Sequence, residues 1–243
     1  MVVAAFCLSG WGGSDPSSLQ VRYAPLPDLL TKSYLVRGSY PQVAGSSRAA
    51  GTVNKLLTEA VRSDELAFAS LARRQPAPPP GVGPGLYATH PVRVLISARA
   101  AIVSVLIPVT RLFPGGTDGQ GWIAISIDVQ SGRRIRLSDV FGKNEKRGLT
   151  ILAHAARTHA VAMSACVRHS LDDPSVGREF LAGFSPTSAH YRYFALLARG
   201  VAIGFPVGQI AFPTCNRVQV LVPYAVVHPY LSARGLQWIR QSG

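Results

Sequence analysis

Two runs in this chain combine residue type and spacing in a way that suggests chemistry. The first is Gly115-Gly116-Thr117-Asp118-Gly119-Gln120-Gly121, whose backbone amides can cradle an anion as Gly-rich turns do. A plain hairpin loop accounts for the same residues, because a strand follows and no helix dipole adds to the site. The second run is Arg133, Arg134 and Arg136, the densest basic patch in the interior of the sequence. Strand alternation puts Arg134 and Arg136 on one face, where a solvated surface is the plain reading and an anion contact the sharper one. The candidate ligand-binding residues are therefore Gly115, Gly116, Thr117, Asp118, Gly119, Gln120, Arg134 and Arg136.

Other chemistries find less support. Of the six histidines, His154 and His159 stand five apart on a predicted helix, which places them on different faces. No HExxH, CxxC or carboxylate cluster accompanies them, so neither a metal nor a cofactor is expected. The strained turn G-x-S-x-G of α/β-hydrolases is absent. Ser, His and Asp are numerous enough for a triad built by spatial convergence, which keeps hydrolysis of small esters open as an alternative. With twelve acidic residues, paired carboxylates are scarce. Asp128 and Asp139 come nearest, and turn support or helix capping is the expected role of both. The run 75–85 carries Gly81, Gly83 and Gly85 among prolines, with no strand before it and no helix after it. It reads as a surface loop rather than a nucleotide-binding loop.

The elements around these runs can be read from periodicity. Residues 122–129 alternate, with Ile123, Ile125, Ile127 and Val129 on one face and Trp122, Ala124, Ser126 and Asp128 on the other. Gln130-Ser131-Gly132 supplies a turn in which Gly132 takes positive φ, and 133–137 returns as the partner strand. Before the Gly-rich run, 91–96 and 101–110 read as strands, with Val103, Val105, Ile107 and Val109 sharing a face. Pro108 argues for an edge position or a bulge there. Upstream, 33–38 reads as a strand and about 47–73 as a helix capped by Ser46 or Ser47, with Asp64-Glu65 marking a break. Downstream, 148–171 is the longest predicted helix, with Leu149, Leu152, Ala156, Ala160, Met163 and Val167 as its apolar stripe. A short helix over 178–184, strands at 201–205 and 218–222, a closing helix at 224–231 and a tail whose Trp238 docks or frays complete the series.

Composition sets the broad class. The chain has 243 residues, 47% hydrophobic and 15% charged, which describes a globular protein with a sizeable core. Twenty-five basic residues against twelve acidic ones leave a net charge of +13. That balance favours anionic partners such as phospholipid headgroups or acidic wall polymers, and the Arg-rich usage equally reflects a GC-rich genome. No nucleic-acid motif with interleaved aromatics is present. Of the three cysteines, Cys7 lies in an apolar leader, while Cys166 and Cys215 fall in the folded part. The pair suits one disulfide in an oxidising compartment, worth roughly 4 kcal/mol in the loop-entropy account. Two buried free thiols are the alternative. Residues 1–10 are too short to span a bilayer and look like the end of a secretory signal. Trp11 stands where a lipidated cysteine would be, so membrane association is expected only if the true N-terminus is lipidated.

Two segments resemble one family. The first runs from Phe113 to Gly142, with the Gly-Gly-x-x-Gly loop, the alternating strand, Asp128-x-x-Ser131-Gly132 and Leu137-Ser138-Asp139-Val140-Phe141. The second is Gly200-Val201-Ala202-Ile203-Gly204-Phe205 followed, after a linker, by Val218-Gln219-Val220-Leu221-Val222-Pro223-Tyr224. Both are similar to the RsiV-type extracytoplasmic domain. That family includes the lysozyme-sensing part of a bacterial anti-sigma factor and a secreted mycobacterial immunogenic antigen. Tyr40-Pro41-Gln42 and the helix with Asn54 resemble the smaller domain that often precedes it. The resemblance implies an α+β fold, with a curved antiparallel sheet, packed helices and two intertwined subdomains. It also implies export, and binding rather than catalysis. Asp118 stands where the family usually has His, so a role tied to that His is not carried over. No sigma-binding segment accompanies the match.

These readings divide the chain into a leader (1–19), an N-terminal α+β subdomain (20–110) with the loop 75–85, an RsiV-like domain (111–232) and a tail (233–243). They predict an exported binding protein of an actinobacterial envelope, without a transmembrane segment, that recognises a protein or an acidic wall glycan.

Overall fold

The computed structural model describes residues 19–27, 29–75, 80–91, 94–98, 101–113 and 118–240, with only the backbone of Asp118. The leader with Cys7, the loop residues Gly115, Gly116 and Thr117, and the last three residues lie outside the described residues. The chain forms β1 (Val21–Pro25), β2 (Leu29–Leu30), β3 (Tyr34–Arg37), β4 (Ser39–Val43) and the long helix α1 (Arg48–Ala72). Then come β5 (Gly85–Thr89), β6 (Leu95–Ala98), β7 (Ile102–Leu112), β8 (Asp118–Asp128) and β9 (Arg133–Arg134). The helices α2 (Leu137–Phe141), α3 (Glu145–Met163), α4 (Ala165–Asp172) and α5 (Gly177–Ala182) follow. The chain closes with β10 (Phe194–Leu197), β11 (Gly200–Phe205), β12 (Val218–Pro223), α6 (Tyr224–Val227) and α7 (Ala233–Arg240).

The architecture is α+β, as expected. The large sheet has the order β2-β3-β5-β7-β8-β9, with β6 also paired to β7. A second, three-stranded sheet has the order β10-β11-β12, and β1 pairs β4 separately. The large sheet is mixed rather than purely antiparallel, because β3 and β5 run parallel. Parallel neighbours need a long crossover, and α1 lies in the connection between them.

Helix α1 begins where Ser47 Oγ accepts the Ala50 amide at 3.1 Å. It continues through Asp64-Glu65 without the predicted break and buries Val53, Leu57, Val61 and Phe68. Asn54 ties it to β4 by accepting the Val43 amide at 2.8 Å and donating to the Val43 carbonyl at 2.9 Å. Asp64 accepts hydrogen bonds from the Tyr87 hydroxyl, 3.0 Å, and from Arg111. The inner face of the large sheet packs on α1 through Val103, Val105, Ile107, Val109, Ile123, Ile125 and Ile127.

Several boundaries depart from the sequence reading. Pro108 sits inside β7, opposite Trp122, rather than on an edge strand. Its position falls between the β5 partners, which begin at Val109, and the β6 partners, which begin at Leu106. The missing amide therefore interrupts no ladder on that side, and the Pro108 carbonyl still accepts His90 N–H at 3.1 Å. The partner strand predicted for 133–137 is only β9, because the Asp139 carboxylate accepts the Arg136 amide at 2.8 Å and starts α2 there. Gly132 has φ 64°, the conformation expected for the turn. The single helix over 148–171 is broken at Ser164, whose extended φ of −133° and ψ of 111° end α3. Its hydroxyl then caps α4 by accepting the Val167 amide at 3.2 Å. Met163, placed on the apolar stripe by periodicity, is 70% exposed at that break. The tail folds as α7, and Trp238 is buried.

Candidate functional site

The outer face of the β7–β8 pair, opposite α1, carries Ser104, Leu106, Pro108 and Thr110 in register with Ser126, Ala124, Trp122 and Gln120. The three-stranded sheet covers most of this face. The Ser104 hydroxyl accepts the Leu196 amide at 2.6 Å and meets the Ser126 hydroxyl. Trp122 donates its indole N–H to the Phe205 carbonyl at 3.1 Å. Gly204 lies flat against that indole: a Cβ there would fall 2.5 Å from Trp122 Cγ, so only glycine permits the approach. Both faces of β8 are thus buried, and the second face belongs to a sheet-on-sheet contact.

Beyond Trp122 the cover ends, and a cleft of about 620 Å³ opens, lined by His90, Thr110, Gln120, Trp122, Asn216, Arg217 and Gln219. That volume is in the range of small-ligand sites. The two sheets contribute facing walls. The Thr110 hydroxyl and His90 Nε2 are 2.8 Å apart on one side. Gln120 Nε2 donates to Asn216 Oδ1 at 3.0 Å across the gap, and the Gln120 carbonyl accepts the Val207 amide at 3.0 Å. The Arg217 guanidinium stands 5.6 Å from the centroid of the Trp122 ring. Asn216 is, among the described residues, the non-glycine residue with positive φ, 60°, a conformation asparagine tolerates well. The lining therefore offers amide, hydroxyl and imidazole groups together with one guanidinium over an indole. Among the described residues no carboxylate lines it.

Cys166 and Cys215 form the expected disulfide, with Cα atoms 5.7 Å apart. Its position bears directly on the cleft, because Cys215 precedes Asn216 and Arg217. The Ser170 hydroxyl, which accepts the Phe212 amide at 3.1 Å, holds the same loop to α4. The break at Ser164 starts α4 and so places Cys166 for this link.

This is the fold of DUF3298 structures. A DUF3298 family protein from Bacteroides fragilis superimposes with a TM-score of 0.58 at 12% identity, covering 93% of this chain and 98% of its own. A second, from Pseudomonas aeruginosa PAO1, gives 0.54 at 12% identity over 88% and 95%. No family model and no curated protein matches the sequence. The DUF3298 likeness spans nearly the whole chain and establishes the fold. Residue roles have to come from this chain's own geometry.

Only part of the sequence-predicted site enters the cleft. Gln120 does, from β8. Gly119 and Asp118 belong to the same strand rather than to the predicted loop, and Gly119 pairs with Arg111. Close approach explains Gly119, since a Cβ there would lie 2.9 Å from the Arg111 carbonyl. Gly115, Gly116 and Thr117 lie outside the described residues. Arg134 and Arg136 are exposed, and Arg134 pairs with Ile127 at the opposite end of β8 from Gln120, outside the cleft. His90, Thr110, Asn216, Arg217 and Gln219 escaped the sequence reading. Alternation would have put Thr110 on the Trp122 face, had the register of β7 with β8 been known.

Other polar clusters are structural. Burial and the neighbouring Asp64 carboxylate push the Tyr87 hydroxyl well up, keeping it a neutral donor. For Asp128, burial raises the pKa, but hydrogen bonds from Ser131, Arg234 and Trp238 outweigh it and hold the carboxyl below its usual value. Among the described residues no His, Cys, Asp and Glu side chains cluster in a way that would hold a metal ion.

Proposed function

We propose that this chain is an exported binding protein of the cell envelope, of the RsiV-type extracytoplasmic kind, whose cleft recognises an acidic wall glycan. The observation that carries the reading is the cleft lining. Amide and hydroxyl groups match sugar hydroxyls, and Arg217 supplies positive charge for a carboxylate. The net charge of +13 draws anionic polymers to the surface at long range. The Cys166–Cys215 bridge suits an oxidising compartment, and no described helix is long and apolar enough to cross a membrane. Calorimetric titration with muramic-acid-containing wall fragments tests it. Binding should weaken about tenfold in Gln219→Ala and in Arg217→Ala, the size of one lost charge-assisted or neutral hydrogen bond. A flat titration, or saturable binding to a protein such as lysozyme with no glycan response, would set the glycan reading aside.

A second reading, hydrolysis of small esters, rests on the 2.8 Å contact between Thr110 Oγ1 and His90 Nε2 in the cleft. A short-chain nitrophenyl ester assay separates the two. Turnover abolished by both Thr110→Ala and His90→Ala would favour the enzyme, and absence of turnover the binding protein.

A further inference from the structure

The register of the large sheet aligns four leucines in one row on its outer face. Leu30 pairs with Leu35, Leu35 with Leu86, and Leu86 with Leu112. Strand spacing makes the row about 14 Å long. These residues alternate with Tyr34, Val36 and Tyr87, which face α1, so the leucines point away from it. On β8 the row ends at Asp118, the partner of Leu112. Helix α1 packs on β3 and β5 through Phe68, which meets the Tyr34 and Tyr87 rings, and it lies on the opposite face. The three-stranded sheet contacts β6, β7 and β8 instead. Leu30 is 72% exposed and Leu112 37% exposed, whereas Leu35 and Leu86 are half-buried between them. Exposed Lys32 and Arg37 flank the row, and Val82 adds exposed apolar surface in the segment before β5.

We propose that this leucine row is a peripheral docking face for an anionic lipid surface. Charge selects the occupant. A second copy would bring another +13 against the same Lys32 and Arg37, whereas acidic headgroups neutralise them while the acyl region takes the leucines. The sequence tied membrane association to a lipidated N-terminus; the row offers a route that needs no lipid anchor and no spanning helix. It also orients the cleft. The next row along the same face is Arg37, Ala88, Thr110 and Gln120, and the last two line the cleft. A chain seated on the row holds that cleft close to the lipid surface. The docking stands independently of what the cleft binds.

Sedimentation of the full chain with phosphatidylglycerol vesicles and with phosphatidylcholine vesicles tests the proposal. Binding to phosphatidylglycerol is expected, with weak binding to phosphatidylcholine and loss at high salt. Leu30→Ser combined with Leu112→Ser should reduce phosphatidylglycerol binding about tenfold or more. Both side chains are exposed enough that the melting temperature should hold, and wall-fragment titration should be unchanged. No sedimentation with phosphatidylglycerol would overturn the proposal. So would binding that the double variant leaves intact, which would mean charge alone, or a mass doubling in solution that the double variant abolishes.

Discussion

Trp122 on β8 and Gly204 on β11 pack directly where the two sheets meet, with the indole lying where a Cβ on residue 204 would otherwise stand. Replacing Gly204 with Ala forces the ring away, loosening the Trp122 N–H bond to Phe205 and the Arg217 stack above it. Gly204→Ala should therefore cost about 1–3 kcal/mol in urea unfolding and weaken the cleft's ligand together with stability. Trp122→Phe probes the other side of the same contact. It keeps the apolar contact, loses the hydrogen bond, and should cost about 1–3 kcal/mol by leaving the buried carbonyl unmet. Full stability in Gly204→Ala would show that the contact yields without penalty.

The disulfide has a local as well as a global effect. With a sequence separation of 49 between Cys166 and Cys215, reduction or Cys166→Ser should cost about 2–4 kcal/mol, seen as a lower melting temperature. Because Cys215 adjoins Asn216 and Arg217, ligand affinity should fall even at temperatures where the reduced protein remains folded. Thiol labelling under denaturing, non-reducing conditions should find Cys7 and neither of the paired cysteines.

Asp128 predicts an acid limb. Its carboxylate accepts Arg234 Nη2 at 2.8 Å, Trp238 Nε1 at 3.0 Å and the Ser131 amide at 2.8 Å, and its folded pKa lies below the ordinary 3.8. A depressed carboxylate stabilises the fold fully above the unfolded value and loses that contribution as pH falls through the folded one. The advantage of the native chain over Asp128→Asn should be constant at neutral pH and shrink below about pH 4. Thermal melts across the acid range check it, and a gap independent of pH would assign the effect to packing.

Asn54 closes both the amide and the carbonyl of Val43 from α1. Asn54→Ala removes two bonds and leaves two backbone groups exposed to a poor solvent, so a loss of about 2–3 kcal/mol is expected. Hydrogen exchange should show the Val43 amide losing protection before the centre of α1. Equal loss across the helix would point to a general weakening instead.

How far the sequence reached depends on the range of the interaction. Alternation in 122–128 and 103–109 placed two strands and their inner faces, because a strand's period is a local property. The Ser47 cap, the Gly132 turn and the turn-supporting role of Asp128 were legible for the same reason: each bond closes within a few residues. Strand β5 went unread, since Gly85–Thr89 is short and its Tyr87 is held by Asp64, far away in the chain. The break at Ser164 was hidden because helical periodicity continues through it, and the link it serves runs to Cys215.

The Gly-rich run shows the same division at the candidate site. Its composition marked a turn region, yet Gly119 and Gln120 lie in β8 because Arg111 and Thr110 pair with them across the hairpin. The chain's own order thus determined the α+β class, the basic charge, the alternating strands and the cysteine pair that bonds. Tertiary structure alone decided which wall meets Gln120. His90 after β5, Thr110 on β7 and the Asn216-Arg217 loop before β12 lie far apart in the chain, and only sheet register and the packing of the two sheets bring them together. The leucine row has the same origin: four residues from four strands share a face only once register is set, and no local period records that.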